Sequence, residues 1–555
     1  MNKNLNGNTQ ARNPYLWLCL GGVLLSFLCS VHTQLYFSSA GLGVMFVAAL
    51  AIGAWGLQKR KTSAPQSGFL FAAWALLVSC VLYSYINAKH PAVFISVAGI
   101  CCAAIAAGCF LLRGTLTAKR ICILIGLISM LLHLIYILYT PVATRQHDVS
   151  WFNQQDGHYA YIQYLVDNNF TLPAVSPQDY WQFYHPPLHH LLSALFIKTQ
   201  LFLGLPDYQT YENLQFLTWI YSGAITIASY KLLKQLGLKG VALCVSFSIL
   251  AMHPAFVLLS GSANNDILFL LFSILAILHA VRWYQAPNYA NIVRLAICIG
   301  LSMMAKLNGA LIAPAALVLF FYHLYQNRRK PWPLLCQFLV FGLICVPLGL
   351  WWSVRLHTLF QLPFGFVNPV PTGTPQDISA VPLIAKLFLP DATHLQSVFV
   401  RLNAPAEHNF LLSLLKHALF DEFALFKKGA GLQACVALFA VQLPLVFSAL
   451  VGGIYTARYK TKLYTTPIKL FFAVLFATVV LMYFSFNMQH PQTCTTGFRY
   501  VVPTLWVGAI WLGMLITQLQ KKGALRHRIV VYTLSGLSGV FCTLSFVVYT
   551  LLSVS

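Results

Sequence analysis

Residues 119–140 read KRICILIGLISMLLHLIYILYT, and after Lys119 and Arg120 no charged residue appears until Arg145. A helix needs about 20 apolar residues to cross the hydrocarbon core of a bilayer, and this stretch supplies them. Working outward, comparable runs lie near 15–36, 40–57, 68–87 and 92–112 on one side. On the other they lie near 186–204, 214–234, 240–260, 265–283, 290–306, 308–326, 332–352, 431–456, 467–487, 498–518 and 528–552. Composition agrees: 58% of the 555 residues are hydrophobic and 8% charged, against about 25% charged in soluble domains. The mean hydropathy is +0.71. The sequence predicts an all-α polytopic membrane protein, with an uncleaved signal anchor at 15–36 behind Lys3 and Arg12.

The formal charge of +23 would suggest nucleic acid in a soluble chain. Here the basic residues sit in short clusters between apolar runs: Lys59-Arg60-Lys61, Arg328-Arg329-Lys330, Lys460 with Lys462, and Lys521-Lys522 with Arg526 and Arg528. That is the positive-inside pattern, so those loops are expected in the cytoplasm and no nucleic acid is expected as a partner. The twelve acids avoid them. Asp148, Asp156, Asp167, Asp179, Asp207 and Glu212 fall in one region, and Asp377, Asp391, Glu407, Asp421 and Glu422 in another. Asp266 opens an apolar segment. Chemistry that needs a carboxylate must draw on these groups. Of the fourteen cysteines only Cys494 falls clearly in a loop, and no disulfide framework or CxxC pair is present.

Two long loops, 141–185 and 353–430, are expected on the external side, with the short 488–497 loop beside them. Lys231, Lys234 and Lys239 raise a parity conflict, because two apolar segments separate them from the 141–185 loop. A segment at 186–213 that dips in and returns would resolve it, as would one segment within 186–326 that lies outside the count. Loops this long are seldom structureless, and Trp151, Phe152, Tyr159, Tyr161 and Tyr164 are compatible with an amphipathic helix resting at the interface. The expected organisation is accessory helices over 1–115, a catalytic membrane module over 116–352, the external loop 353–430, and C-terminal helices over 431–555.

The densest polar cluster reads Arg145-Gln146-His147-Asp148, then Asp156-Gly157-His158-Tyr159, then Gln182-Phe183-Tyr184-His185-Pro186-Pro187-Leu188-His189-His190. Such a set can supply a general base, a cation site or both. Its bland alternative is a group of interfacial hydrogen-bonders and solvated acids. Pro186-Pro187 starts the next helix, where a missing N–H is tolerated. His185 and His189 then lie about one turn apart. No established zinc spacing is present; a divalent cation is compatible with the set but not required by it.

The stretch Asp156-Gly-His-Tyr-Ala-Tyr-Ile, the Leu172-Pro173 pair and Tyr184-His-Pro-Pro-Leu-His-His190 resemble the first external loop of the GT-C superfamily. They are most similar to its family-39-like transferases, related to protein O-mannosyltransferases and to the aminoarabinose transferase of lipid A. In that family an Asp-Glu pair and a Pro-Pro-Leu-Tyr-Tyr segment stand at these places. Gly157 therefore replaces the usual Glu, and His189-His190 the aromatic pair. Ser260-Gly-Ser-Ala-Asn264-Asn265-Asp266, Ala305-Lys306-Leu-Asn308-Gly309, Trp351-Trp352-Ser-Val-Arg355 and Arg499-Tyr500-Val-Val-Pro503 resemble later family segments in the family's order.

The resemblance implies a GT-C-like helix bundle and an inverting glycosyl transfer on the external face, from a polyprenyl-phosphate sugar to a lipid, glycan or protein. It makes Asp156 the expected catalytic carboxylate, with Asp148 and His158 positioning the acceptor or tuning that group. Lys306, Arg499 and Arg355 are expected at the donor phosphate, with His185 and His189 assisting. Charged groups within spans are costly and commonly functional, and snorkelling is the plain alternative for the two arginines. Asn264, Asp266 and Tyr159 complete the candidates, Asp266 having helix capping as its structural alternative. A bacterial inner membrane is the expected location. The rival reading is a multi-span transporter, flippase or surface-glycan polymerase, although no internal repeat of the transporter kind is visible.

Overall fold

Apolar runs that cannot hydrogen-bond their backbone to lipid must satisfy it internally, and helices do so. In a computed structural model, residues 91–150, 156–369, 373–404, 407–459 and 461–553 are described, and no strand occurs among them. The expected runs near 15–36, 40–57 and 68–87, the Lys59-Arg60-Lys61 cluster, Trp151, Phe152 and Lys460 fall outside the described residues. The chain forms two compact units, 1–116 and 117–553. Of the first, helix α1 (Pro91–Leu112) is described.

The second unit begins with α2 (Ala118–Leu138), whose first turn is capped by the Thr117 side chain accepting from the Arg120 N–H. Then come α3 (Gly157–Asp167), α4 (Leu188–Phe202), α5 (Asp207–Glu212) and α6 (Leu214–Gln235). Helices α7 (Gly240–Ala251) and α8 (Pro254–Ser260) follow each other with a bend of 44°. Pro254 starts α8 and His253 caps it through the Ala255 N–H. They are followed by α9 (Asp266–Gln285), α10 (Tyr289–Ala305), a 3₁₀ turn Leu307–Ile312 running into α11 (Ala313–Gln326), and α12 (Trp332–Phe360). The second loop carries α13 (Leu383–Leu387) and α14 (Phe410–Phe420). Helices α15 (Gly429–Ala457), α16 (Thr466–Gln489), α17 (Pro503–Lys522) and α18 (Leu525–Leu552) close the unit. Among the described residues seven helices are long and apolar enough to cross a membrane, or eight counting α7 and α8 as one span.

Side-chain bonds show which helix ends meet. At one end Gln235 donates to Gln285, His323 Nε2 to the Tyr284 carbonyl at 2.9 Å, and the Tyr284 hydroxyl lies 2.7 Å from Thr465. Lys231, Lys234, Lys239 and the 328–330 cluster gather at this end. At the other, the Thr218 hydroxyl donates to the Ser260 carbonyl at 2.7 Å, and Tyr549 donates to Leu419 at the end of α14. The Val142 N–H donates to the Glu212 carboxylate at 2.9 Å, so the chain after α2 and the chain before α6 meet at one end. The intervening α4, with 15 residues, is about 22 Å long and too short to span. A segment that returns to the same end without a full crossing is what the positive-inside reading requires here.

The α3 segment departs from the expected interfacial helix. Tyr159, Tyr161, Ile162 and Leu165 are fully buried against α4 and α12, because their aromatic and apolar faces pack with Phe183, Ile197 and Trp352. The second loop is likewise built. Its residues 376–378 bond to 491–493, and a fully buried Glu407 pairs with Lys416 at 3.0 Å and Arg401 at 3.1 Å.

Candidate active site

The loop before α3 is shaped by backbone bonds. The Gly157 N–H donates to Trp181, His158 N–H to the Asp148 carbonyl and Tyr159 N–H to Val149, each at 3.0–3.1 Å. These bonds satisfy the first-turn donors of α3, which no helical carbonyl can reach. Gly157 has φ +93°, and a Cβ there would lie 2.4 Å from the Val149 carbonyl oxygen. Only glycine fits here without a shift of the backbone. Asp148 itself has φ +57°, a left-handed conformation that costs energy in a non-glycine residue.

So held, Asp148 Oδ2 lies 2.8 Å from Arg499 Nη2. Arg499 also reaches the Tyr500 hydroxyl at 3.0 Å, and its other terminal nitrogen lies 3.7 Å from Asp266. Lys306 Nζ pairs with Asp266 at 2.5 Å and sits 5.1 Å from the centre of the Tyr500 ring. Two cations and two carboxylates from four distant segments thus meet at one place. Burial by itself would raise the Asp148 carboxyl, but Arg499 beside it holds it below its ordinary value. Burial likewise opposes the Arg499 charge, and Tyr500, Asp148 and Asp266 more than offset it.

Asp148, Lys306, Arg499 and Tyr500 border a cavity of about 380 Å³. Asp148, His158, Tyr184 and His185 line one side, and Lys306, Arg499 and Tyr500 another. Leu307, Leu311, Met482 and Phe486 give it an apolar wall, with Trp352 at the margin. His158 stacks on His185 and shares one hydrogen bond with His190, Nδ1 to Nε2 at 2.9 Å. Burial depresses His158 to about 3 and His185 well below its ordinary value, so both are neutral at pH 7.

The expected residues separate accordingly. Asp148, His158, His185, Lys306 and Arg499 line the cavity. Asp156 does not: it is exposed, and its Oδ1 accepts from the Trp181 N–H at 2.8 Å. Arg355 donates to the Pro173 carbonyl at 3.0 Å and lies over Trp352, tying α12 to the first loop instead of facing the cavity. His189 donates through Nε2 to the Ala263 carbonyl at 3.0 Å, which turns it away from His185. Tyr159 is buried and donates to Val142 at 2.5 Å. Asn264 accepts from the Asp266 N–H at 3.0 Å, and Asp266 supports the two cations from behind. Among the described residues no group of three or more His, Cys, Asp or Glu is arranged to hold a metal ion.

Sequence reasoning missed Asp421 and Glu422 as members of the site. His147 Nε2 lies 2.8 Å from Asp421 and Nδ1 3.1 Å from Glu422, immediately beside Asp148. Their one sequence signal is that they are adjacent acids in an acid-poor chain.

No curated protein matches the chain significantly. Among solved structures, it is similar to the Archaeoglobus fulgidus oligosaccharyltransferase in complex with zinc and sulfate, at 14% identity and TM-score 0.45, over 77% of this chain and 53% of that one. It therefore spans about half the length of that protein. The ArnT protein of Cupriavidus metallidurans bound to undecaprenyl phosphate is similar at 13% identity and TM-score 0.44, over 76% of this chain and 74% of that one. Residues 197–370 match the family model described as dolichyl-phosphate-mannose-protein mannosyltransferase. That segment contains Asp266, Lys306 and Arg355, so over residues 197–370 the chain is similar to this mannosyltransferase family of the GT-C superfamily, as its motifs indicate.

Proposed function

We propose that this chain is a membrane glycosyltransferase that moves a sugar from a polyprenyl-phosphate donor to an acceptor hydroxyl. The observation that carries the reading is the cavity in which Asp148 faces Arg499 and Lys306 beside an apolar wall. A polyprenyl phosphate needs cations for its phosphate and an apolar surface for its chain, and the cavity offers both. Arg499 suits bidentate phosphate binding, with Lys306 as a second, point-like charge. The acceptor oxygen attacks the anomeric carbon and forms the new glycosidic bond as the bond from that carbon to the phosphate oxygen breaks. The phosphate leaves with the electron pair, its growing charge stabilised by the two cations. The acceptor proton passes to Asp148, the cavity's carboxylate, in place of Asp156. Neutral His158 and His185 orient the sugar or the acceptor by hydrogen bonding.

The basic residues gathered at the opposite end support an active site on the external face, by the positive-inside rule. A bacterial inner membrane fits a chain of this kind. The acceptor is a lipid, a glycan or a protein. The test is transfer from a panel of radiolabelled polyprenyl-phosphate sugars in membranes carrying wild type, Asp148→Asn or Asp156→Asn. Loss of a general base is expected to lower the rate of Asp148→Asn about 10²–10⁴-fold, with Asp156→Asn close to wild type. A normally expressed Asp148→Asn that keeps the wild-type rate would sink the assignment. Repeating the assay with a chelator separates a metal-assisted transfer from one that needs no metal.

A further inference from the structure

We propose that His147, clasped between Asp421 and Glu422, is the positioning group that fixes Asp148 against Arg499. This rests on the reading of Asp148 as the catalytic carboxylate, and it adds three residues that the family resemblance does not mark. Both ring nitrogens of His147 face carboxylates, Nε2 at 2.8 Å from Asp421 and Nδ1 at 3.1 Å from Glu422. The Nε2 contact is a hydrogen bond and the Nδ1 contact an ion-pair distance, an arrangement that favours the protonated ring, since a carboxylate only accepts. His147 is buried, and the Phe423 ring lies 5.3 Å from it, which shields the clasp from water.

The anchor is the C-terminal end of α14. Asp421 follows that helix directly, with φ +53° and ψ −147°, a conformation that a non-glycine residue adopts only under constraint. One turn earlier on the same helix, His417 Nδ1 donates to the Thr496 carbonyl at 2.8 Å, three residues before Arg499. The Tyr483 hydroxyl donates to both Phe410 and Thr496 at 3.1 Å. One helix thus holds both partners: Asp148 through His147 and Asp421, and Arg499 through Thr496 and His417. The left-handed backbone at Asp148 is the price of reaching Arg499, and the adjacent clasp is what holds it there.

The charged and titratable groups that face His147 are Asp421 and Glu422 after α14, His417 on α14, Asp148 on its own loop, Arg499 in the turn before α17, and Asp266 at the start of α9. Burial works against the imidazolium, and the two clasping carboxylates outweigh it, raising His147 to about 10. Removing Asp421 leaves burial with weaker opposition, so the ring is then expected to lose its proton far lower.

The experiment measures the titration of His147 by C2 hydrogen–deuterium exchange and mass spectrometry, on the full chain in nanodiscs without substrate. Wild type is expected to stay protonated well above neutrality. Asp421→Asn is expected to titrate roughly two pH units lower or more, and Glu422→Gln by a smaller amount. In the transfer assay, Asp421→Asn is expected to lose about 10²-fold in kcat, the scale of a misplaced catalytic group, with the donor KM unchanged. Its residual rate should fall on the alkaline side over the same pH range in which the ring now titrates. His147→Lys, which keeps the positive charge, should retain more activity than His147→Gln. A wild-type His147 that titrates near its ordinary value of 6.5 overturns the clasp whatever the chain transfers. A normally folded Asp421→Asn with the wild-type rate and pH profile overturns the positioning role. Because the titration needs no donor, failure of the transferase reading is seen separately, as no transfer by wild type.

Discussion

Asp148 is 27% exposed and Arg499 8%, so their ion pair is only partly screened by water. The carboxyl is held below its ordinary value of 3.8, so the pair stabilises the folded chain above that pH and the contribution fades as pH falls through the lowered value. The proposed base therefore stays ionised at neutrality, and the acid side of the rate profile should be flat down to about pH 5. Arg499→Met is expected to expose the opposing effect of burial, raising the Asp148 carboxyl and moving the acid limb upward. A pH–rate profile of the variant checks this, and an unmoved limb would remove Arg499 as the cause. Gly157→Ala is expected to destabilise by more than 1 kcal/mol, since it combines positive φ with a 2.4 Å clash; thermal unfolding in detergent measures it. The expected Asp156 and the cavity-lining Asp148 show where residue-level reading stops. Both are acids of one loop beside histidines, and only the bonds of His158 and Tyr159 to 148 and 149 decide which one reaches the cavity.

The helices were legible because bilayer length and hydropathy leave little choice. The expected runs 214–234, 467–487 and 528–552 appear as α6, α16 and α18 within three residues at each end. Lys306 was legible for the same reason, as a charge interrupting an apolar stretch. The second loop was not, because what orders it is pairing between residues without a periodic pattern. Glu407 reaches Lys416, Arg401 and His394 in a segment whose one apolar run, Phe410–Phe420, is too short to mark a crossing. Here burial gives a prediction. Glu407 is inaccessible and Lys416 nearly so, and removing one partner strands the other in a medium that cannot solvate it. Glu407→Gln is expected to cost about 3–5 kcal/mol, seen as a lower unfolding temperature. The double variant Glu407→Gln with Lys416→Met should recover part of that loss.

At the scale of the whole molecule the bundle has two chemically different ends, one basic and one carrying the cavity and both long loops. This orientation predicts labelling. A cysteine placed at exposed Asp391 should react with an impermeant maleimide on intact cells, and one at exposed Arg329 only after permeabilisation. The reverse result would invert the proposed sidedness. Neither parity nor the pairing across the cavity could be read along the chain, because each depends on contacts such as Val142 with Glu212 or His147 with Asp421, separated by 70 and 274 positions. A still longer separation sets a clock on biogenesis. Arg499 follows Asp148 by 351 positions, which at about 5–20 residues per second is roughly 18–70 s of synthesis. Throughout that interval Asp148 waits in the growing chain without its cation. A chain that stops before Arg499 already carries most of the described apolar helices, yet it leaves the proposed catalytic carboxylate without that counter-ion.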